Sequence, residues 1–404
     1  RKESSAASDV YKRQSPVTAG SERLRALIDR IAQGASQRDL ERIHPHEQIA
    51  ALRAEKLGAL RLRTTDGGGG ATLRELFATV IALGAADSNV AHILRNHFVF
   101  IERIARTPRT AEHVQWQRLA AQGVVFGLAN TDAPRSPRPS VLRKAGPSYV
   151  LDGIKHYSTG CLYADHIVVR TVDEERRSLT VIVPADRAGI TRVDDWDGAG
   201  QRLTGTGTTV FESVAVAPHE FILDEPGQAY SRPHESTLAQ LFLTAINAGI
   251  IRAVLADTVQ LVQGRGRNFY HGAGDRPADD SLIQQVAGNL SSAAFAAECV
   301  VLAAADVQDR IGAAREQGLP SEDLLREGAL LAAKAKVIVD DLAIRSASSI
   351  YDAGGASSTI RSTNLDRHWR NARTLASHNP TAYKARSIGQ LEINGTPLPT
   401  GSFF

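Results

Sequence analysis

Residues 127–132 have the sequence GLANTD, and residues 152–160 have the sequence DGIKHYSTG. Each segment ends a strand-like run in a cluster of amide and hydroxyl side chains, and a Gly-Ile-Lys turn precedes the second cluster. Around them, from residue 124 to about residue 216, short β-rich runs alternate with Gly and Pro. Turn residues that recur at this spacing are typical of antiparallel strands. The stretch therefore predicts a compact antiparallel β-domain.

Helical periodicity flanks this region on both sides. Between residues 21 and 122, apolar side chains recur at helical spacing, as at Val90, Ile93, Leu94 and Ile101. Three long amphipathic patterns follow at 238–262, 282–311 and 324–350, and they indicate a helical bundle. We therefore predict an α+β chain with three parts. These are an N-terminal helical domain at 21–123, a central antiparallel, barrel-like β-domain at 124–230 and a C-terminal four-helix bundle at 231–404.

Residues 1–20 are expected to stand apart from this fold. Residues 4–14, SSAASDVYKRQ, resemble the translation of a transposon-end sequencing adapter. A segment of that origin is not expected to contribute to the fold.

Composition excludes several classes of partner and site. The 47 basic and 44 acidic residues give a net charge of +3 and form no stripe, so nucleic acid is not an expected partner. The two cysteines, Cys161 and Cys299, are isolated, which fits a reducing cytoplasm and predicts no metal site. No apolar run approaches the roughly 20 residues of a membrane span, so no membrane partner is expected. The glycine motif of a nicotinamide-binding Rossmann fold does not occur in the sequence.

The segments at 127–132 and 155–160 resemble the two flavin-lining strands of the acyl-CoA dehydrogenases. The resemblance assigns Asn130, Thr131, Tyr157, Ser158 and Thr159 to the isoalloxazine ring. A flavin requires hydrogen-bond donors along its N1, O2, O4 and N5 edge together with an apolar wall. The alternative is that these hydroxyls only satisfy backbone groups at the strand ends.

A second resemblance lies near the C-terminus, in DRHWRNART at 366–374 and SHNP at 377–380. These segments resemble the dibenzothiophene sulfur monooxygenases and the sulfur-acquisition oxidoreductases, which are flavin monooxygenases with the acyl-CoA dehydrogenase fold. The resemblance adds Trp369 and Arg373 to the cofactor site. Acyl-CoA dehydrogenases use a glutamate base in this neighbourhood or at a position that aligns with Ala239, and this chain has no such base at either. Without a general base, the rate of proton abstraction falls by a factor of roughly 100 to 10,000.

Histidines stand where a carboxylate would be expected. The resemblance places His97 and His378 at the reactive face of the flavin, and both are predicted to be catalytic. A neutral imidazole there could bind the distal oxygen of a flavin C4a-hydroperoxide and exchange a proton with it. The alternative for His97, which lies four residues from both Ile93 and Ile101, is a core histidine with satisfied nitrogens.

Arg267 is predicted to bind the flavin phosphate, since a guanidinium matches phosphate geometry. The family often has a further arginine after the Gly354-Gly355 turn, whereas this chain has Ala356-Ser357-Ser358. Leu128 also departs from the sulfur-oxidising relatives, which tend to have a polar amide there. The substrate is therefore expected to differ from theirs.

The resemblance covers residues from about 24 to 399 and implies a two-component monooxygenase. A separate NAD(P)H:flavin reductase would supply reduced FMN, with FAD as the alternative cofactor, and oxygen would be transferred to a small organosulfur or similar substrate. It also implies a cytoplasmic homotetramer in which a neighbouring subunit completes the flavin site. Two other functions remain open at this point: an FAD-dependent acyl-CoA dehydrogenase with an unrecognised base, and a non-catalytic family member.

Overall fold

The computed structural model describes residues 15–105, 110–132, 138–224, 234, 236–401 and 404. Within these ranges, the helices that precede the sheet are α1 (Glu22–Ala32), α2 (Ala35–Glu41), α3 (His46–Ala54), α4 (Leu73–Ala86), α5 (Ser88–Ala105) and α6 (Ala111–Ala121). Side chains cap several of them. Thr72 and Glu75 form a capping box at α4, and the Asp87 carboxylate accepts the backbone N–H groups of Asn89 and Val90 at the start of α5.

The strands follow α6. They are β1 (Phe126–Ala129), β2 (Val141–Ala145), β3 (Ser148–Lys155), β4 (His166–Asp173), β5 (Ser178–Pro184), β6 (Ile190–Val193), β7 (Thr208–Val216) and β8 (Phe221–Leu223). The sheet order is β6-β7-β3-β2-β4-β5-β8, and β1 pairs with β4 off this path.

The central sheet is mixed, which corrects the expectation of a purely antiparallel domain. β1 and β2 both run parallel to β4, with Phe126 opposite His166 and Val141 opposite Val172. The remaining pairs are antiparallel. Consecutive buried residues Ile167, Val168 and Val169 on β4 show the physical reason, because a strand covered on both faces carries a continuous apolar run.

Long helices complete the described chain. They are α7 (Thr237–Gly264), α8 (Ser281–Glu316), α9 (Glu322–Gly354), α10 (Asp366–Ser377) and α11 (Thr381–Asn394). Helices α7, α8 and α9 pack against one another, and α4 from the N-terminal region packs against α7 and α8. The expected C-terminal bundle is therefore completed by a helix from the other end of the chain.

The crossing of α4 and α7 brings two backbones into direct contact at glycines. A Cβ atom on Gly249 would lie 2.5 Å from the carbonyl oxygen of Ile81, and a Cβ on Gly84 would lie 3.0 Å from that of Ile246. Only residues without a side chain allow this approach. One apolar cluster accordingly contains residues of α1, α4, α5, α7, α8, α9 and α10.

Val17 corrects the expectation for the first 20 residues. It is buried in the same apolar cluster, and its N–H donates to the carbonyl oxygen of Glu55. The adapter-like segment 4–14 lies outside the described residues.

Two helices, α7 and α8, are long and apolar enough to cross a membrane by length and composition. The expectation that no run approaches the length of a span was therefore wrong for these helices. Within the molecule, 78% of the apolar window of α7 is buried, against 39% for α8. Burial of this extent is what the central helix of a folded bundle shows, and α8 is left with an exposed apolar face that includes Phe295.

Candidate active site

The structure brings the two predicted flavin-lining segments together at the ends of β1 and β3. Thr131 and His156 form an isolated antiparallel bridge, in which the His156 N–H donates to the Thr131 carbonyl oxygen at 2.8 Å. The buried ammonium of Lys155 donates to the carbonyl oxygen of Asn130 at 3.1 Å and to the Asp132 carboxylate at 2.8 Å. Burial lowers the pKa of Lys155, and Asp132 opposes that shift. This lysine therefore fixes the end of β1 against β3.

Residues 157–160 form a tight loop after β3, with Tyr157 in the left-handed region at φ 54°. The Tyr157 ring is 63% exposed and meets Trp196 edge to face. Ser158 is buried, and its hydroxyl has no hydrogen-bond partner among the residues that the structure describes. The Thr159 hydroxyl accepts from Thr206 at 3.0 Å. A buried hydroxyl without a partner at this position is what an absent ligand would leave.

Helix α5 presents a polar stripe to this loop. Ser88, His92 and Asn96 recur every four residues and Asn89 precedes His92 by three, which places them on one side of the helix. The Asn96 amide donates to the Thr159 carbonyl oxygen at 3.0 Å. The stripe therefore joins α5 to the loop at 157–160.

Gln201 connects α5 to α10. Its backbone N–H donates to the Asn371 side-chain oxygen at 2.6 Å, and its side-chain amide donates to the Ser88 hydroxyl at 3.0 Å. Its side-chain oxygen lies 3.1 Å from His92 Nδ1. With the amide in this orientation, His92 Nδ1 carries the proton and Nε2 is an acceptor.

His92 Nε2 is buried and lacks a hydrogen-bond partner in the described part of the chain. Burial, and then the charge of Arg95, lowers the pKa of His92 to about 3. The imidazole is therefore neutral near pH 7 and presents a free lone pair. Sequence reasoning did not single out His92, although the stripe at Ser88, Asn89 and Asn96 was available as a signal.

His378 lies directly after α10 and faces the same region. Burial, and then the positive charges of Arg95 and Lys336, lowers the pKa of its imidazole well below the usual range, while its side chain still has access to solvent. The next residue, Asn379, donates from its side-chain amide to the Gln240 side-chain oxygen at 3.1 Å. We call His92, Arg95, Gln240, His378 and Asn379 the histidine site.

The charged side chains that lower the pKa of His378 are the cations Arg95 and Lys336, and no carboxylate of the described residues contributes to that shift. Ala239 and Gln240, where a glutamate base was considered, contribute a backbone carbonyl and an amide. Asp340, which pairs with Lys336 at 2.6 Å, also accepts from Asn247 and Thr381. Both carboxylate oxygens of Asp340 therefore accept hydrogen bonds from neighbouring helices.

The hydrogen bonds of His97 favour the alternative of a core histidine with satisfied nitrogens. Its Nε2 donates to the Gly58 carbonyl oxygen at 2.8 Å, and its Nδ1 accepts from the Phe126 N–H at 3.2 Å. The ring is fully buried and stacks on Phe126, and burial lowers its pKa to about 4. With both nitrogens satisfied, His97 joins α5 to β1 and has no atom left for catalysis. His92 takes its place as the candidate catalytic residue on α5.

Comparison with known proteins gives the same architecture. Residues 241–383 match the family described as acyl-CoA dehydrogenase, C-terminal domain. The structure is similar to that of methanesulfinate monooxygenase MsuC from Pseudomonas fluorescens, with a TM-score of 0.86 and 27% identity over 95% of this chain and 99% of that one. The chain has the acyl-CoA dehydrogenase fold.

Within the acyl-CoA dehydrogenase fold, the chain resembles flavin-dependent monooxygenases, as the sequence predicted. It is 27% identical to the probable FMNH2-dependent monooxygenase SfnC of Pseudomonas putida, over 94% of this chain and 96% of the relative. It is also 27% identical to the dibenzothiophene monooxygenase of Rhodococcus erythropolis, over 93% of each. Both matches span the sheet and the two helical regions.

Arg267 lies far from the histidine site of its own chain. Gln240 is near the start of α7 and Arg267 follows its end, and a helix of 28 residues is about 40 Å long. The side chain of Arg267 is exposed. A flavin with its ring at the histidine site would not reach Arg267 of the same chain. Contact between Arg267 and the flavin phosphate therefore requires a neighbouring subunit.

Trp369 and Arg373 lie four residues apart on the outer face of α10, and both side chains are exposed. The opposite face of α10 is buried against α7, where His368 Nε2 lies 2.8 Å from the Asp257 carboxylate. Because Asn379 meets Gln240 at the other end, α10 runs antiparallel to α7 and delivers His378 to the start of that helix. Asn130 and Thr131 are exposed at the end of β1.

The residues present fit a flavin in the position typical of the acyl-CoA dehydrogenase fold. Ser158 offers an unpartnered buried hydroxyl at the strand ends, and His92 offers an unpartnered buried nitrogen. Tyr157 provides an exposed aromatic surface on the same loop. Polar donors beside an aromatic wall are the environment that an isoalloxazine ring requires.

Proposed function

We propose that this protein is a two-component monooxygenase that uses reduced flavin, preferentially FMNH2, to transfer one oxygen atom from O2 to a small organosulfur substrate. The observation that carries the proposal is a site that offers two imidazoles, His92 and His378, and no carboxylate among its described residues, with His92 Nε2 buried and free to accept a hydrogen bond. Proton abstraction from an acyl-CoA needs a carboxylate base, whereas oxygen transfer needs neutral hydrogen-bonding groups. The names of the relatives support the same chemistry.

The bound reduced flavin would supply the activation of dioxygen, and the chain would supply binding, orientation and proton handling. His92 Nε2 is held as an acceptor because Nδ1 is bound to Gln201, so it would accept a hydrogen bond from a hydroxyl group of a bound reactant. Because its pKa is low, the His92 imidazole stays uncharged at neutral pH. His378 approaches from α10 and remains accessible to the second reactant.

Three further features belong to this proposal. Ser158 would donate to the edge of the flavin ring, because its hydroxyl is buried and otherwise unpartnered. Thr159, bound through its carbonyl oxygen to Asn96, would hold the loop against α5. A separate NAD(P)H:flavin reductase, a cytoplasmic location and a homotetrameric assembly complete the proposed system, and the exposed apolar face of α8 supports association between chains.

The test is a coupled reaction with isotopic oxygen. The purified protein is incubated with FMN, a generic NADH:flavin reductase, NADH and 18O2, and thioethers, sulfoxides, sulfinates and thiophenes are screened by mass spectrometry. We expect one 18O atom in the product and no product without the protein. Tight binding of FAD, with reduction of an artificial acceptor by acyl-CoA, would instead identify a dehydrogenase. Failure to bind either flavin redox state at low micromolar concentration would identify a non-catalytic member.

A further inference from the structure

Arg95 is a buried cation for which the described residues provide no acidic partner. It follows His92 by three residues on α5, and only 9% of its surface is exposed. Its Nε–H donates to the Ala239 carbonyl oxygen at 3.0 Å, and no carboxylate of the described residues pairs with its guanidinium. The similarly buried Arg38 does pair with an acid, Asp87, and the partly buried Arg370 pairs with Asp39.

An unpaired buried charge is costly unless something compensates for it. Transfer of an ionised group out of water costs several kcal/mol even after the protein relaxes, and removal of one partner from a buried ion pair costs about 3–5 kcal/mol. Burial lowers the pKa of Arg95 to about 10, so the guanidinium remains charged at neutral pH. The fold therefore maintains a positive charge in this position when no anion is bound.

The location of Arg95 separates it from the ring-lining residues. Its neighbour Asn96 faces the loop at 157–160, whereas Arg95 contacts the first turn of α7. Arg95 is also close enough to His92 and His378 for its charge to lower the pKa of both. The cation thus lies on the side of α5 that contacts the helical bundle, whereas Asn96 lies on the side that contacts the predicted ring-lining loop.

We propose that Arg95 recognises the substrate and takes a compact organosulfur oxyanion, with a sulfinate on a small apolar group as the preferred class. This inference rests on the proposed oxygenase function of the same site. A guanidinium binds such an oxyanion through parallel charge-assisted hydrogen bonds. A sulfinate also keeps a lone pair on sulfur, so it is both an anion and an oxygen acceptor.

The reaction balances with the reactants of the proposed function. The sulfinate sulfur gains one oxygen atom from O2 and is oxidised by two electrons to the sulfonate. The second oxygen atom leaves as water, with two electrons and two protons from the reduced flavin, which returns to its oxidised form. Arg95 forms no covalent bond in this sequence and holds the oxyanion beside His92 and His378.

The experiment compares an anion with a neutral molecule of similar shape. Methanesulfinate and dimethyl sulfone are titrated calorimetrically into the FMN-loaded protein, using the wild type, Arg95→Gln, Arg95→Lys and the control Arg25→Gln, which changes an exposed arginine of α1. We expect the wild type and the control to bind methanesulfinate at least about tenfold more tightly than the sulfone, the Gln variant to lose that preference, and the Lys variant to retain part of it. The sulfone measures what a purely structural defect would do.

Each outcome decides the matter. Equal binding of the two molecules by the wild type, or an unchanged preference in Arg95→Gln, would overturn the inference even if a variant folds poorly. The inference would also be overturned if Arg95→Gln lost as much affinity for FMN as for methanesulfinate, because Arg95 would then bind the flavin. If oxygen is transferred to neutral thioethers regardless of Arg95, the proposed function holds and this inference fails. If Arg95 governs anion binding but the 18O2 reaction gives no product, the inference about the anion holds and the oxygenase function fails.

Discussion

His92 and His97 lie five residues apart on α5, so their side chains point about 140° away from each other. One imidazole has both nitrogens bonded to backbone groups, and the other has one nitrogen bonded to Gln201 and one buried without a partner. Two residues of the same type on one helix are therefore distinguished by the hydrogen bonds that surround them. His97 is a packing residue, whereas His92 has a nitrogen available for chemistry.

The change His92→Gln tests this distinction, with His97→Gln as the matched control. We expect His92→Gln to lower oxygenated product by a factor of about 100 to 1,000 while FMN binding is retained, because a positioned hydrogen-bond acceptor is lost. Reduced flavin should then be consumed with release of hydrogen peroxide. The His97 variant should lose stability but keep its ratio of product to peroxide, measured per folded protein. Equal uncoupling in both variants would contradict the assignment of roles.

The pH dependence of oxygenation tests His378 and His92 together. Burial and nearby positive charge hold the pKa of both imidazoles far below that of a free histidine, so both stay neutral from pH 8 down to about pH 5. We expect product formation per reduced flavin to stay level over that range and to be abolished by His378→Ala. Steady-state product ratios with constant reductase activity provide the measurement. A descending acid limb centred near 6.5 would show that a histidine with an ordinary pKa controls the reaction.

His97 should make the folded protein sensitive to acid. Its pKa is about 4 when folded and 6.5 when free, so below pH 6.5 the unfolded chain binds a proton that the folded chain does not. Stability is therefore unaffected above pH 6.5, and falls by about 3 kcal/mol as the pH drops to 4. Urea unfolding at pH 5 and pH 8 should show a smaller pH difference for His97→Gln than for the wild type. Parallel pH profiles for the two proteins would refute the claim.

At the level of single residues, the sequence pointed to the segments that the structure brings together and to His378, which directly follows α10, but on α5 it selected His97, whose nitrogens are both bonded, and not His92. The apolar neighbours Ile93 and Ile101 of His97 look the same in sequence whether the ring faces a cofactor or a backbone carbonyl. The partners that decide the matter, Gly58 and Phe126, are distant in sequence. Arg95 was missed for a related reason, because the absence of an acidic partner is visible only in three dimensions.

Among the elements, the start of α5 is stabilised by Asp87, the residue that precedes it. One oxygen of Asp87 caps the helix, and the other accepts from Arg38 on α2 at 2.8 Å. Burial raises the pKa of Asp87 even though Arg38 acts to lower it. Desolvation thus offsets much of the attraction between the two charges, and the pair orders the helix start more than it stabilises the fold.

Removal of one partner should nevertheless be severe. We expect Asp87→Ala to lower the free energy of unfolding by about 3–5 kcal/mol, because Arg38 is left buried and unpaired. Ser21→Ala, which removes the exposed cap of α1, should cost only about 1 kcal/mol. Chemical denaturation with each variant gives both values. A loss of similar size in the two variants would mean that burial of the Arg38 charge matters little.

The helices could be predicted because their signal is local. Apolar spacing and caps such as Thr72 with Glu75 are written within four residues of sequence. The parallel pairing of β1 and β2 with β4 could not be predicted in this way. It depends on which strands lie beside β4 after the chain has passed through the loop at 157–160, and no local pattern records that choice.

At the scale of the whole molecule, Arg267 and the histidine site lie at opposite ends of α7. If Arg267 binds the flavin phosphate, it must do so in a neighbouring chain. We expect Arg267→Ala to weaken FMN binding by about 1–3 kcal/mol, since a charge-assisted hydrogen bond is lost. Fluorescence titration with FMN measures this change, and Arg25→Gln serves again as the control.

Mixed oligomers show whether the contact is made between chains. Subunits with Arg267→Ala and subunits with His92→Gln are co-expressed with different tags, and the mixed assembly is purified. Contact between chains creates some sites with both native residues, so oxygenation at limiting FMN should recover well above that of either parent. No recovery is possible if both residues serve the same chain. Light scattering on the same samples reports the number of subunits.

The glycine contact between α4 and α7 joins the N-terminal helical region to the C-terminal bundle in one apolar core. Gly84 and Gly249 bring their helices so close that the apolar side chains around them are shared between segments some 165 positions apart in the chain. A protease that nicks the sheet region would leave two pieces that still adhere as one particle. Neither half would be expected to fold by itself, so the enzyme cannot be shortened to its sheet and bundle.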